Sequence, residues 1–220
     1  MKKFLLIPLC FISLISVAQT DLKISVKAGL SSAHIQGEAS DQLSGLIAFT
    51  DGILTTQHRT GFYAGTSLEI PISQGFSFEP GLYYAQKGYS LKGDYQIKGL
   101  EFVSLNAKAT LQNDYIEMPL LAKLNTGPVS IFAGPQFAYL ASSKLKTTAG
   151  VLGANLLNKS FDVSNQFNAW DASVLAGIGI QITQNINLQA AYDFGLSKID
   201  ANKSIDAYNR TLKIGMGINF

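Results

Sequence analysis

The chain has 220 residues, with 17 Lys and Arg against 15 Asp and Glu, and 15% of its residues are charged. That is well below the roughly 25% of an ordinary soluble domain, although the apolar content of 47% is unremarkable. Disorder is excluded, because it needs low hydrophobicity together with high net charge. A single Cys excludes both a disulfide framework and a Cys-based zinc site.

The N-terminus reads as an address. Lys2 and Lys3 precede an apolar run from Phe4 to Val17, broken by Pro8, Ser13 and Ser16, and Ser16-Val17-Ala18 places small residues at −3 and −1. This predicts a secretory signal peptide over 1–18, cut after Ala18, and one domain over 19–220. The run is shorter than the roughly 20 residues of a spanning helix. Cys10 lies inside it with no small residue just before it, which disfavours a lipid-modified N-terminus. The predicted segment carries two Lys and the only Cys, so the mature chain would hold 15 charges of each sign. With no net charge and no basic cluster among aromatics, nucleic acid is not an expected partner.

Beyond the N-terminus the recurring signal is alternation of period two, the mark of strands. Eight runs show it, over about 22–31, 61–70, 76–87, 115–124, 129–141, 170–182, 187–196 and 211–220. In the first, Leu22, Ile24, Val26, Ala28 and Leu30 oppose Lys23, Ser25, Lys27, Gly29 and Ser31. In the last, Leu212, Ile214, Met216, Ile218 and Phe220 oppose Thr211, Lys213, Gly215, Gly217 and Asn219. Short connections near 71–75, 125–128 and 183–186 carry hairpin-turn residues. They alternate with longer ones over 32–60, 88–114, 142–169 and 197–210, which predicts an up-and-down meander. Val103, Leu105, Ala107, Ala109 and Leu111 alternate as well, so the third and fourth strands are expected to extend beyond the bilayer as a hairpin. Pro80, Pro119 and Pro135 each remove a ladder donor, and bulges or local irregularity are expected there.

Alternation alone does not say which face is inside. All charges of the eight runs fall on the polar face: Lys23, Lys27, Lys87, Lys123 and Lys213 against Glu69, Glu79, Glu117, Asp171 and Asp193. Glycines share this face with long side chains, which suits the narrow bore of an eight-stranded barrel. The ten charges are therefore expected to pair inside it as a structural salt-bridge network. Outward aromatics gather near run ends, with Phe76 and Phe220 on the short-turn side and Tyr139, Trp170 and Phe194 on the long-loop side, as two interfacial girdles would require. Phe220, an outward aromatic closing an alternating strand, resembles the insertion signal read by barrel-assembly machinery. The reading is an all-β, eight-stranded antiparallel up-and-down transmembrane barrel in outer-membrane lipid. A soluble, lipocalin-like periplasmic binder is the alternative with its faces inverted.

Five stretches give a family likeness: Lys27-Ala28-Gly29-Leu30; Gly61-Phe62-Tyr63-Ala64-Gly65; the segment from Phe78 through Glu79-Pro80-Gly81 to Gly88; Tyr115-Ile116-Glu117-Met118-Pro119-Leu120-Leu121; and Ala133-Gly134-Pro135 with Asn209-Arg210. On these the chain resembles the PorT-like group of small outer-membrane β-barrel proteins of Gram-negative bacteria. The resemblance implies an outer-membrane location and a single barrel, and no one activity.

Chemistry is sparse. His34 and His58 both fall in the first long connection, near the ends of the first two strands, His34 close to Ser31 and Ser32, so a Ser-His pair on the rim is conceivable in a lipid A-modifying barrel enzyme. No orienting carboxylate accompanies it in a recognisable motif, and neither a metal site nor a cofactor is expected. Val151, Leu152, Leu156 and Leu157 form an apolar cluster in a long connection, the candidate contact for a surface or envelope protein.

Overall fold

In a computed structural model, which describes residues 22–38, 54–96, 104–151, 154–202 and 206–220, each of the eight alternating runs forms a strand. They are β1 (Lys23–Gln36), β2 (Leu54–Ser73), β3 (Phe76–Gln96), β4 (Ser104–Thr126), β5 (Val129–Val151), β7 (Trp170–Gln181), β8 (Ile186–Gly195) and β9 (Tyr208–Asn219). The predicted signal peptide lies outside the described residues.

Antiparallel pairing runs from each of these strands to the next, and β1 pairs with β9 from Ser25↔Asn219 to Gln36↔Tyr208. The sheet thus closes on itself and has no free edge in the ring. The short turns lie at one end. Gly75 and Gly127 adopt φ of 81° and 64° there, a region costly for residues with a Cβ. In the third turn the Thr183 hydroxyl accepts from the Ile186 amide at 3.0 Å.

The faces sort as the alternation requires. Leu30 and Ile214 on the outward row are 65% and 59% exposed, while the inward Lys27, Glu79, Lys87 and Glu117 are buried. This inverts a soluble barrel and removes the lipocalin-like alternative. The core is the bore itself. Leu121, Phe132, Leu175 and Ala191 pack in one cluster, Tyr63, Tyr83 and Ala85 in a second, and Tyr115, Ala138 and Leu140 in a third. Glycine makes room for the rings. A Cβ on Gly215 would lie 2.3 Å from Tyr63 Oη and 2.5 Å from the Ala28 carbonyl oxygen. Gly215→Val is therefore expected to cost about 1–3 kcal/mol through overpacking, read as a lower urea midpoint in detergent micelles. An unchanged midpoint would show that Tyr63 has room to move aside.

Three features refine the expected layout. First, the connection over 142–169 is mostly strand. β5 continues to Val151, and β6 (Ala154–Asp162) folds back along it from Val151↔Ala154 to Lys144↔Asp162. One edge of β5 is thus shared by β7 below, over Val129–Tyr139, and β6 above. Second, β3 and β4 pair without a shift up to Gln96↔Ser104, the extended hairpin that the alternation near 103–111 suggested. Third, the prolines interrupt ladders without changing register. Pairing skips from Pro80↔Leu120 to Tyr83↔Glu117, and from Pro119↔Gln136 to Ala122↔Ala133. The register shifts fall elsewhere, between His58 and Tyr63, between Pro71 and Ser73, between Asp114 and Tyr115, and between Ala149 and Gly150. A missing donor costs one hydrogen bond locally, whereas a slip would turn every later side chain to the wrong face.

Candidate functional site

The bore is filled by two tiers of charge. In the tier nearer the short turns, Lys27 pairs with Glu79, and Lys123 reaches Glu69 at 2.7 Å and Glu79 at 3.1 Å. Ser77 Oγ and Asn125 Nδ2 each donate to Glu69 Oε1 at 2.9 Å. In the upper tier Lys87 lies 2.7 Å from Asp193, 3.0 Å from Glu117 and 3.8 Å from Asp171. Lys213 lies 2.5 Å from Glu117 and 3.8 Å from Asp193. Gln136 Nε2 donates to Asp193 and Asn209 Nδ2 to Asp171, both at 2.8 Å. Lys87 is 0% exposed, Glu117 and Asp193 1% each. Charges this deep persist only when paired and hydrogen-bonded.

Nine of the ten charges singled out from the sequence meet in these tiers. Lys23 does not, standing exposed at the short-turn mouth. The expected balance of five against five therefore becomes two against two below and two cations against three carboxylates above. Asp171 is the outlying carboxylate, held mainly by the Asn209 amide and by Ser197 Oγ at 3.1 Å. Asn209 and Gln136 were not candidates from sequence, since an amide on the polar row carries no sign to count.

The bore is open at its short-turn mouth and narrows inward. The short-turn mouth opens into a vestibule of about 420 Å³ with Lys27, Glu69 and Lys123 in its wall and Phe132 beyond them. Deeper, between Tyr63, Tyr83, Phe132 and Lys213, only about 30 Å³ is open, room for a water or two. At the other end Phe167 packs on the cluster of Tyr115, Ala138 and Leu140. Its segment is tied down by Asn168 N donating to the Ile199 carbonyl at 2.8 Å and Ala201 N to that of Gln166 at 3.0 Å.

On the outside, the long-loop end of the apolar rows carries paired aromatics. Phe62 and Tyr84 have ring centroids 5.5 Å apart, Tyr139 and Trp170 5.2 Å apart, and the Arg210 guanidinium lies 3.6 Å over Phe194. Phe62 and Tyr84 enlarge the girdle read from sequence. Exposed Phe76 and Phe220 mark the opposite rim, where Phe220 N donates to the Ile24 carbonyl at 2.8 Å. Among the described residues no helix is long and apolar enough to cross a membrane.

The histidines do meet, with ring centroids 4.5 Å apart, but the serine beside them is Ser32, whose Oγ lies 3.4 Å from His58 Nδ1. That contact is long, and His58 is flanked by His34 rather than by a carboxylate that would orient it as a base. Of the apolar loop cluster, Leu157 is exposed on β6. Val151 and Leu156 belong to strands, and Leu152 lies outside the described residues.

The chain can now be set beside known proteins. Among solved structures it is similar to Ail, the attachment invasion locus protein of Yersinia pestis, seen in complex with the heparin analogue sucrose octasulfate, at 14% identity and a TM-score of 0.47 over 90% of this chain and 99% of that one. Neisserial surface protein A is similar at 14% identity and 0.41, covering 90% and 97%. The outer membrane protein OprG of Pseudomonas aeruginosa follows at 13% and 0.39, covering 90% and 95%. No curated protein matches the chain. The family model of the outer membrane protein beta-barrel domain matches residues 17–201, which span most of the closed ring. The chain belongs to that family, and it is an integral β-barrel protein of the Gram-negative outer membrane.

Proposed function

We propose that this protein is a non-enzymatic membrane platform that holds a stiff β-sheet at the cell surface for contact with another surface or envelope molecule. One observation carries the reading. β2 to β5 are 20, 21, 23 and 23 residues long, about twice the 9–11 residues of a tilted crossing. Their upper halves, widened by β6, stand beyond the aromatic girdle. Three further points support it. The charged groups of the two tiers are engaged with one another, Phe167 packs on the cluster at the upper end, and among the described residues no carboxylate contacts His58.

Within this reading the contact lies around Val151, Leu152, Leu156 and Leu157, in the stretch of chain between the end of β5 and the middle of β6. Deleting 150–158 is expected to leave the heat-modifiable gel mobility of the folded barrel intact and to remove a surface cross-link made by the full-length protein in cells. Cross-links unchanged by the deletion would overturn this placement. The same proposal takes residues 1–18 as a cleaved export signal, Phe220 as the contact for barrel-assembly machinery, and the PorT-like group as the branch of the family to which the five sequence stretches point.

A further inference from the structure

Along β4 the lipid-facing row is Leu124, Ala122, Leu120, Met118 and Ile116, and the same face continues upward through Asp114, Gln112, Thr110 and Lys108. β4 stays in register with β3 throughout this stretch, so the upper residues look out over the same side as the lipid-facing ones. At about 3.3 Å per residue on a strand tilted about 45°, Gln112 and Lys108 stand roughly 9 and 19 Å above Ile116. This is the headgroup zone and the sugar layer beyond it.

An open groove of about 570 Å³ lies here between the extensions of β2 to β6. Its cations are Arg59, Lys108 and Lys146, with Ser90, Thr110 and Gln112 among its neutral polar groups, and no carboxylate lines it among the described residues. Lys146 and Arg59 hydrogen-bond neutral groups, and the Asp114 carboxylate just below the groove also acts on Arg59 through its charge. Lys146 Nζ donates to Gln112 Oε1 at 2.9 Å, and Arg59 donates to the Lys87 carbonyl and to Gln86 Oε1 at 3.3 and 3.2 Å. Asp114, next below in the row, accepts twice from Gln112 Nε2, at 3.0 and 3.2 Å, which fixes the amide that holds Lys146.

We propose that this groove seats the phosphorylated sugar headgroup of an outer-leaflet glycolipid. Three cations against the single carboxylate of Asp114 at the lower rim leave net positive charge, which suits phosphate, hydroxyls and amides suit sugar, and the position directly above a lipid-facing row picks the membrane's own glycolipid over a solute. The groove shares Asn158 with the 150–158 segment, but its test changes only Lys108 and Lys146 and leaves that segment whole, so the two proposals fail separately.

The test uses full-length protein in detergent micelles, with bound lipid counted by native mass spectrometry. The probes are bisphosphorylated lipid A, the same lipid A stripped of phosphate, and the soluble bisphosphorylated disaccharide without acyl chains. Wild type is expected to prefer the bisphosphorylated lipid by about tenfold, given what each lysine contributes near an anionic surface. Lys108→Gln/Lys146→Gln is expected to lose that preference while keeping the gel mobility of the folded barrel, and Lys108→Arg/Lys146→Arg to keep it. A preference retained by the glutamine pair would overturn the proposal. So would disaccharide binding as tight as that of the intact lipid, which would assign the groove to a soluble phosphosugar.

Discussion

Lys87→Met is expected to destabilise the barrel by about 3–5 kcal/mol, the range measured when one partner of a buried ion pair is removed. Lys87 is the hub of the upper tier, with Asp193, Glu117 and Asp171 around its ammonium at 2.7, 3.0 and 3.8 Å. Without it only Lys213 remains to face three carboxylates, and its distances are 2.5 Å to Glu117 and 3.8 Å to Asp193. The loss should appear as a lower urea midpoint for refolded protein and as a smaller heat-modifiable fraction after refolding. Two companion variants give the result its meaning. Lys23→Met should leave both readouts unchanged, because Lys23 is exposed at the mouth. Lys87→Met/Asp193→Asn should recover part of the loss, because it withdraws one of the stranded charges, and a double-mutant cycle then isolates the pair. A Lys87→Met protein within about 1 kcal/mol of wild type would mean that the upper tier does not hold the strands together.

The tiers also show where sequence reading stops. That Lys87 and Asp193 face the bore follows from their rows: Lys87 shares the polar side of its run with Ser77, Gly81 and Tyr83, and Asp193 shares that of its run with Gln189 and Gly195. That they touch does not follow, because they are 106 positions apart and meet only after the sheet has closed. Lys27 and Glu79 are a similar case, on β1 and β3 with β2 between them. Pairing across a bore depends on strand tilt and stagger, which alternation along one strand does not encode. Lys23 is the converse, since its row is right but its position along the strand is past the point where the bore ends.

The upper halves of the long strands were hard to read for a different reason. Between Val129 and Tyr139 one face of β5 meets lipid and the other the core, so the hydrophobic contrast is strong. From Lys144 to Thr148 the outward Lys144, Lys146 and Thr148 alternate with Leu145 and Thr147, and β6 pairs beside them in water. Once neither face is strongly apolar, alternation weakens although the backbone pairing is unchanged. The β3–β4 extension was legible because Leu105, Ala107, Ala109 and Leu111 keep one face apolar beyond the membrane. The groove, in turn, combines side chains from five strands, and Arg59, Lys108 and Lys146 share no local motif.

The position of the lipid boundary yields the second large effect. Leu120 lies midway along the apolar row of β4, between Leu124 and Ile116, on the outward face. Leu120→Arg is expected to cost about 2–4 kcal/mol, as for Arg or Lys at the bilayer midplane on a barrel's lipid face. Ten residues up the same row, Thr110→Arg places the same side chain beyond the girdle, where it gives up the 3.0 Å hydroxyl contact with Ser90, and is expected to cost about 1 kcal/mol. Strand, row and introduced charge are alike in the two variants, so the difference between them reports the surrounding medium. Unfolding by urea from phospholipid vesicles measures it. In detergent micelles the gap should narrow, because a micelle deforms around a charge more readily than a bilayer does. Equal losses at both positions in vesicles would move the boundary above Thr110, so that the groove would lie within the hydrocarbon. Equal tolerance would place Leu120 outside the hydrocarbon and break the assignment of outward rows to lipid.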